Sequence, residues 1–229
     1  MTKSIVYYTC NTHKPEIDEA CRRQLLKANV PIVSVSLNKK LYFGEIAITV
    51  QGNKSPLMMH KQILKGLSYI PDGDVFLCES DVLYHPSHFD FMPSFDDAFY
   101  FNTNVWRVHF PDGLATWTDD LQQVSGVCAH RDLLLDFYQR RVEQIKRDGF
   151  NRHYEPGPKQ SVMRNVPILN RKSEYPNIDF RHDANLTASK RSPSAFRNKR
   201  YAKGWKEAES VEGWGQTFGR LDEFLESIQ

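Results

Sequence analysis

An α/β sandwich on a mixed, mostly parallel sheet is the fold class this sequence predicts, and three observations predict it. Runs of β-branched and aromatic residues alternate with stretches of helical period over the first eighty residues. The connections between them are short, which suits strand–helix–strand units. Beyond residue 90 the alternation gives way to paired strands and a hairpin signal, so the sheet is mixed.

The first strand is SIVYYT, Ser4 to Thr9. In the helix that follows, KPEIDEACRRQLLKAN, Ile17, Ala20, Cys21, Gln24, Leu25 and Ala28 recur at helical spacing. VPIVSVSL, Val30 to Leu37, is the second strand. SPLMMHKQILKGLSYI is the second helix, with Ser55 placed to cap it and Pro56 in its first turn. GDVFLCES is the third strand. Next, DDAFYFNTNVWRVHF and LATWTDDLQQVSGVCAH flank the turn signal PDG, RDLLLDFYQRRVEQIKRDG is a helix, RHYEPGPKQSVMRN is a loop leading to a short helix, and YPNIDFRH is a last short strand. There is no internal repeat, and the tail from Ala184 has no clean period.

The composition excludes several classes. At 229 residues the chain can bury an ordinary core. With 30 Lys and Arg against 28 Asp and Glu, overall charge names no partner, and an aromatic share of 12% belongs to a folded protein. Cys10, Cys21, Cys78 and Cys128 lack CxxC spacing, which disfavours a zinc site or a redox pair and suits buried thiols in a reducing compartment. No run of about 18 apolar residues spans a bilayer, and the N-terminus has no leader-like segment. The expected location is the cytoplasm.

Ligands of such sheets bind at the carboxyl ends of the strands. Tyr8, Thr9 and Asn11 close the first strand, and Glu79 with Asp81 close the third, so both sets face one crevice. Two carboxylates in a dry site repel unless a cation lies between them. Oxygen ligands with open positions suit Mg²⁺ or Mn²⁺ bridging protein and phosphate. As an isolated motif, E-x-D is better explained by a solvated loop, and its place at the end of the third strand is what favours a site.

The segment CESDVLYHPSHFDF resembles the DXD region of GT-A glycosyltransferases, in the E-x-D-V-L-Y-H-P-S-H-F version of small glycosyltransferase-like proteins, many of them encoded by phages. The resemblance runs from about Ser4 to Thr187 and is strongest at ESD and at DFRHDANLT. It implies a GT-A-like Rossmann-type α/β/α sandwich over residues 1–185, with 186–229 as a basic arm or lid and an acidic tail. It also implies transfer of a sugar from a nucleotide-sugar donor, a UDP-sugar by preference, to a hydroxyl acceptor with Mn²⁺ (or Mg²⁺). Asp81 would bind the metal directly, Glu79 would touch metal or ribose, and His182 would complete the shell. The family's usual first acid is Asp, so Glu79 is a departure. The imidazole tilts the set from Mg²⁺ towards Mn²⁺.

Tyr8, Thr9 and Asn11 resemble the family's first nucleotide-contacting loop. Lys54 and Lys61 flank the start of the second helix, where a cation and the helix dipole both favour phosphate. For the acceptor's proton, Glu155 resembles the family's late catalytic acid, with Asp119 and Asp120 as rivals; inversion and retention stay open. Trp106, Trp117 and His109 suit an acceptor platform as well as a core.

From Ala184 to Lys206 there are seven Lys and Arg and no acid, interleaved with Phe196, Tyr201 and Trp205. A lid over the diphosphate, a nucleic-acid arm and a solvated tail all fit this composition. Prompted by the resemblance, a hydroxymethylated pyrimidine in phage DNA is an acceptor to consider, and a phage enzyme would act in the host cytoplasm. A glycan or small-molecule acceptor is the alternative, as is a non-catalytic nucleotide-sugar or DNA-binding protein of the same fold. A nucleotidyltransferase would need a Gly-rich phosphate loop after the first strand, and TCNTHKPE has no glycine. The sequence names no oligomeric state.

Overall fold

Burial on both faces marks the first strand as central, because six of its seven residues are inaccessible to solvent. The computed structural model describes residues 2–109, 113–150, 163, 165–182, 203–214 and 224–225. In chain order the elements are β1 (Lys3–Thr9), α1 (Pro15–Leu26), β2 (Ile32–Leu37), β3 (Ile46–Val50), α2 (Pro56–Leu67), β4 (Asp74–Glu79), β5 (Val82–Leu83), β6 (Phe99–Asn102), β7 (Val105–His109), β8 (Ala115–Trp117), β9 (Val127–His130), α3 (Arg131–Asp148), β10 (Ile168–Arg171), β11 (Asn177–Arg181) and β12 (Lys206–Ala208).

Seven strands form the main sheet in the order β10-β6-β9-β4-β1-β2-β3. β1 is parallel to β2 and β4, β2 to β3, and β6 to β10, whereas β9 is antiparallel to both its neighbours, β4 and β6. The main sheet is therefore mixed and mostly parallel, as expected, with helices packed on it. Val6 and Tyr8 pack on one face against Ile63 and Leu67 of α2 and Leu134, Phe137 and Tyr138 of α3. Ile5 and Tyr7 face the other way, with Leu25 of α1. A Cβ on Gly66 would stand 2.6 Å from Val6 Cγ1, so α2 lies on β1 at a distance that excludes any larger residue there. Ser55 caps α2 as its position suggested, its hydroxyl accepting Met58 N–H at 3.1 Å.

Two features go beyond the sequence reading. The segment GEIAITV, passed over as a connection, contains β3, so the acids close a fourth strand and not a third. β3 is a short edge strand, half-buried on one face, and with no helix separating it from β2 it falls outside the strand–helix alternation. There is also a second sheet, in the order β12-β8-β7-β11-β5. Ile17, Ala20 and Cys21 of α1 share its core with Leu83, Val108, Ile178 and Phe180. Val211, Trp214, Phe224 and Leu225, past the boundary expected at residue 185, pack into the same core.

A buried imidazole ties the two sheets together. His88 Nδ1 lies 2.9 Å from Asn102 Nδ2 at the end of β6 and 3.0 Å from Asn177 Nδ2 at the start of β11. Arg171 of β10 donates to the His88 carbonyl at 2.9 Å. Burial and the neighbouring Arg171 charge hold His88 well below the usual histidine range, so it is neutral and accepts both amides. No helix among the described residues is long and apolar enough to cross a membrane.

Candidate metal and nucleotide site

β1, β2 and β4 run parallel and in register, with Tyr8 beside Glu79 and Thr9 beside Ser36, so their carboxyl ends open on one edge of the sheet. The chain leaves β4 at Glu79, turns through Ser80 and Asp81, and enters β5 of the second sheet. β5 pairs antiparallel with β11, and Phe180 N–H donates to the Asp81 carbonyl at 3.0 Å. The acidic turn is therefore held between two sheets, and the same pairing delivers His182, the residue after β11. His182 Nε2 lies 3.4 Å from Asp81 Oδ2, with both residues buried.

A third side chain joins this pair. A ring nitrogen of His13, a carboxylate oxygen of Asp81 and a ring nitrogen of His182 all lie within 4.8 Å of one another. The two imidazole rings meet edge to face, with centroids 4.8 Å apart. His13 Nδ1 lies 3.3 Å from Asp18 Oδ1 on α1 and 3.0 Å from Ser80 Oγ, which fixes the ring. Glu79 stands outside the group. Its carboxylate accepts the Tyr8 hydroxyl at 3.0 Å.

The electrostatics separate the two acids. Burial, followed by the nearby Asp81 and Asp179 charges, pushes Glu79 up to about 8, so it holds a proton at neutral pH. Burial would raise Asp81 too, but the His182 hydrogen bond and the charges of His13, His182 and Arg181 outweigh it and hold Asp81 below the usual carboxylate range. Burial works against a charged His13, yet its bonds to Asp18 and Cys10 and the Asp81 charge lift it to about 10. Without a metal, one acid carries charge and one a proton.

Asp81 and His182 fit a divalent ion. Ligand atoms sharing one such ion at about 2.1 Å each lie at most a little over 4 Å apart, and this separation is close to that of the three atoms here. Carboxylate with imidazole is also a donor set that divalent transition ions accept.

Next to the acids lies a charged wall from the second sheet. Asp179 accepts from Gln123 and from Arg181, and its β7 partner Arg107 donates to Thr118 Oγ1 at 3.2 Å. Both arginines and Asp179 are buried. Asp179 is raised by burial, against the pull of Arg181.

Tyr8 and Thr9, both buried, end β1 beside these acids. The Thr9 hydroxyl accepts Asn11 N–H at 3.0 Å, and Gln62 of α2 donates to the carbonyls of Thr9 and Val35 at 2.8 and 3.0 Å. Asn11 adopts a left-handed turn, φ 55°, and donates to the Leu37 carbonyl at 2.7 Å, joining the ends of β1 and β2. Lys54 Nζ donates to Thr12 at 3.0 Å. Lys61 is half-buried on α2.

Asp119 and Asp120 are exposed in the turn after β8. Asp119 N–H donates to the Lys203 carbonyl at 3.0 Å, and Asp120 accepts from Asn170 at 3.4 Å. Neither touches the group around Asp81. Glu155 lies outside the described residues, as does the basic stretch up to residue 202. Trp117 is buried beneath the ammonium groups of Lys206 and Lys172, 4.7 and 5.3 Å from its ring centre. Trp106 is partly buried against the second core, and His109 is buried.

Sequence reasoning thus brought Asp81, His182, Tyr8 and Glu79 to one place and missed His13, Asp18, Asp179, Arg181 and Arg107. Asp179 and Arg181 lay in the segment DFRHDANLT, where the two-residue period of a strand places both on one face. His13 carried no such signal.

No protein-family model matches the chain, and no curated protein sequence does. Among solved structures, the inositol-1-phosphate CTP transferase from T. maritima is similar over 100% of this chain and 96% of its own, at 12% identity and TM-score 0.48. A glycosyltransferase involved in glycosylation of the major capsid of PBCV-1 covers 75% and 82%, at 7% identity and TM-score 0.43. The glycosyltransferase GlyE of Streptococcus pneumoniae TIGR4 covers 75% of this chain and 45% of its own, at 9% identity and TM-score 0.46.

Proposed function

We propose that this protein is a metal-dependent glycosyltransferase that moves a sugar from a nucleotide-sugar donor to a hydroxyl acceptor. The observation that carries this reading is the buried Asp81–His182 pair, assembled from two sheets at the edge where β1, β2 and β4 end. Donor with Mn²⁺ (or Mg²⁺) is the expected ligand, and UDP-sugars are the first donors to try.

In the reaction the bond from the anomeric carbon to the diphosphate oxygen breaks, the diphosphate leaves with the electron pair, and the acceptor oxygen bonds to carbon as it loses its proton. Asp81 and His182 would hold a divalent ion, which would supply charge stabilisation for the departing diphosphate. Arg181 and Arg107, buried beside the acids, add fixed positive charge to that side of the site. Tyr8, Thr9 and Asn11 shape the floor for the nucleotide, and Glu79, bonded to Tyr8, faces the ribose side. Lys61 contributes phosphate affinity from α2. Glu155 is the proposed proton acceptor, with Asp119 and Asp120 as alternatives. The basic stretch of residues 184–206 makes hydroxymethylated DNA the first macromolecular acceptor to try.

A panel of nucleotide sugars, with and without Mn²⁺, tests the reading in wild type and Asp81→Ala. Metal-dependent binding or slow hydrolysis of one donor, abolished in the variant, is expected. No donor bound by folded protein with Mn²⁺ present would overturn it.

A further inference from the structure

We propose that His13 is a third protein ligand, so that His13, Asp81 and His182 form a two-imidazole, one-carboxylate set selective for a transition ion of the Mn²⁺, Fe²⁺ or Co²⁺ class over Mg²⁺. This deepens the metal site on which the glycosyltransferase reading rests. The three donor atoms are within 4.8 Å of one another, and they come from the loop after β1, the turn after β4 and the end of β11. Glu79, the other acid of the sequence motif, is instead committed to Tyr8.

The surroundings of His13 are those of a ligand imidazole. Asp18 on α1 engages its Nδ1 at 3.3 Å, and a carboxylate behind a metal-bound histidine fixes the tautomer and raises its basicity. The carboxylate needed for this is itself fixed, since Asp18 lies in the first turn of α1 and pairs with Arg22 one turn later at 3.9 Å. His13 is mostly shielded, with 7% of its side chain exposed, so water competes poorly for the ion.

Chemistry gives the selectivity. Mg²⁺ demands oxygen ligands and sheds water reluctantly, whereas imidazole suits later first-row ions. Each nitrogen that replaces an oxygen moves the preference away from Mg²⁺. Three protein ligands would leave such an ion open to substrate oxygens and water.

The test uses the full chain without donor. Titration calorimetry with Mn²⁺, Co²⁺ and Mg²⁺ is combined with pulsed EPR of the Mn²⁺ protein, which counts coordinated imidazole nitrogens. Wild type should show two imidazoles, and His13→Gln one, with Mn²⁺ and Co²⁺ affinity falling at least tenfold and Mg²⁺ affinity changing far less. Asp18→Asn, which keeps the imidazole, should weaken Mn²⁺ about 10- to 100-fold, as loss of such a partner does elsewhere. Thermal melts in EDTA confirm that each variant is folded. Two imidazoles retained in His13→Gln, or an unchanged Mn²⁺ to Mg²⁺ ratio, would overturn the proposal while leaving Asp81 and His182 as a metal site. Metal bound as expected with no donor bound would sink the transferase reading alone, and a folded wild type that binds none of the three ions would sink this one.

Discussion

The phenolic oxygen of Tyr84 accepts the backbone N–H of Glu79 at 2.9 Å. Tyr84 is 1% exposed and stands five residues beyond the acid it supports. It braces the turn that carries Asp81 from one sheet to the other. Tyr84→Phe keeps the ring but leaves the Glu79 N–H without its acceptor. A stability loss of about 1–3 kcal/mol is expected from such an orphaned group, with weaker Mn²⁺ binding as the turn loosens. Chemical denaturation and calorimetry check both, and unchanged values would show that the turn holds itself.

Asp81→Asn preserves size and removes the charge that faces His13 and His182. Mn²⁺ affinity should fall by about a hundredfold or more, because a charged ligand is lost from a buried site. Because the folded protein holds Asp81 below its ordinary range, its charge contributes stability at neutral pH, and the melting temperature in EDTA should fall in the variant and approach that of wild type as the pH is lowered. A melting temperature unchanged at neutral pH would contradict the stabilised charge.

Glu79 gives a pH signature. Its folded value, about 8, lies above its ordinary one. For a raised group the stabilising contribution is complete below the unfolded value and is lost as pH rises through the folded one. In EDTA, Glu79→Gln should therefore gain stability relative to wild type between about pH 5 and pH 9, by on the order of a few kcal/mol at most. Melts across that range should show the variant's advantage growing as pH rises and levelling off above the folded value, and parallel curves would contradict the assignment.

Arg181→Gln should weaken binding of a nucleoside diphosphate with Mn²⁺ by about tenfold or more, the loss typical of a hydrogen bond to a charged group. Mn²⁺ alone should bind at least as well as to wild type, since Arg181 is not among the clustered ligand atoms and its charge, which acts on Asp81, opposes a second cation there. Equal losses in both titrations would place Arg181 in the support of the metal set instead.

Much of this was legible in the sequence where local chemistry is strong. Ser55 and Pro56 announced α2, and the helical spacing from Leu134 to Ile145 announced α3. The acid pair was legible because a strand end is a known place for ligands. β3 was not, although IAITV is β-prone, because no helix separates it from β2; β10 and β12, with ILNR and KEA, carry few apolar residues and owe their form to pairing with distant neighbours. The motif Y-H-P-S-H read as part of a binding signature. Its Tyr84 and His88 turn out to brace the turn and join the sheets. His13 was illegible for another reason. It lies 68 residues from Asp81 and 169 from His182, and only the folded chain makes them neighbours.

That separation sets an order of events during synthesis. A nascent chain released as far as α3 already has both acids and the imidazole of residue 13, but β5 has no β11 to pair with and residue 182 is still to come. The acidic turn is then half-supported. The cluster of His13, Asp81 and His182 is complete only once β11 has paired with β5, so a truncated or prematurely terminated polypeptide carries the acidic motif without its imidazole partner at residue 182.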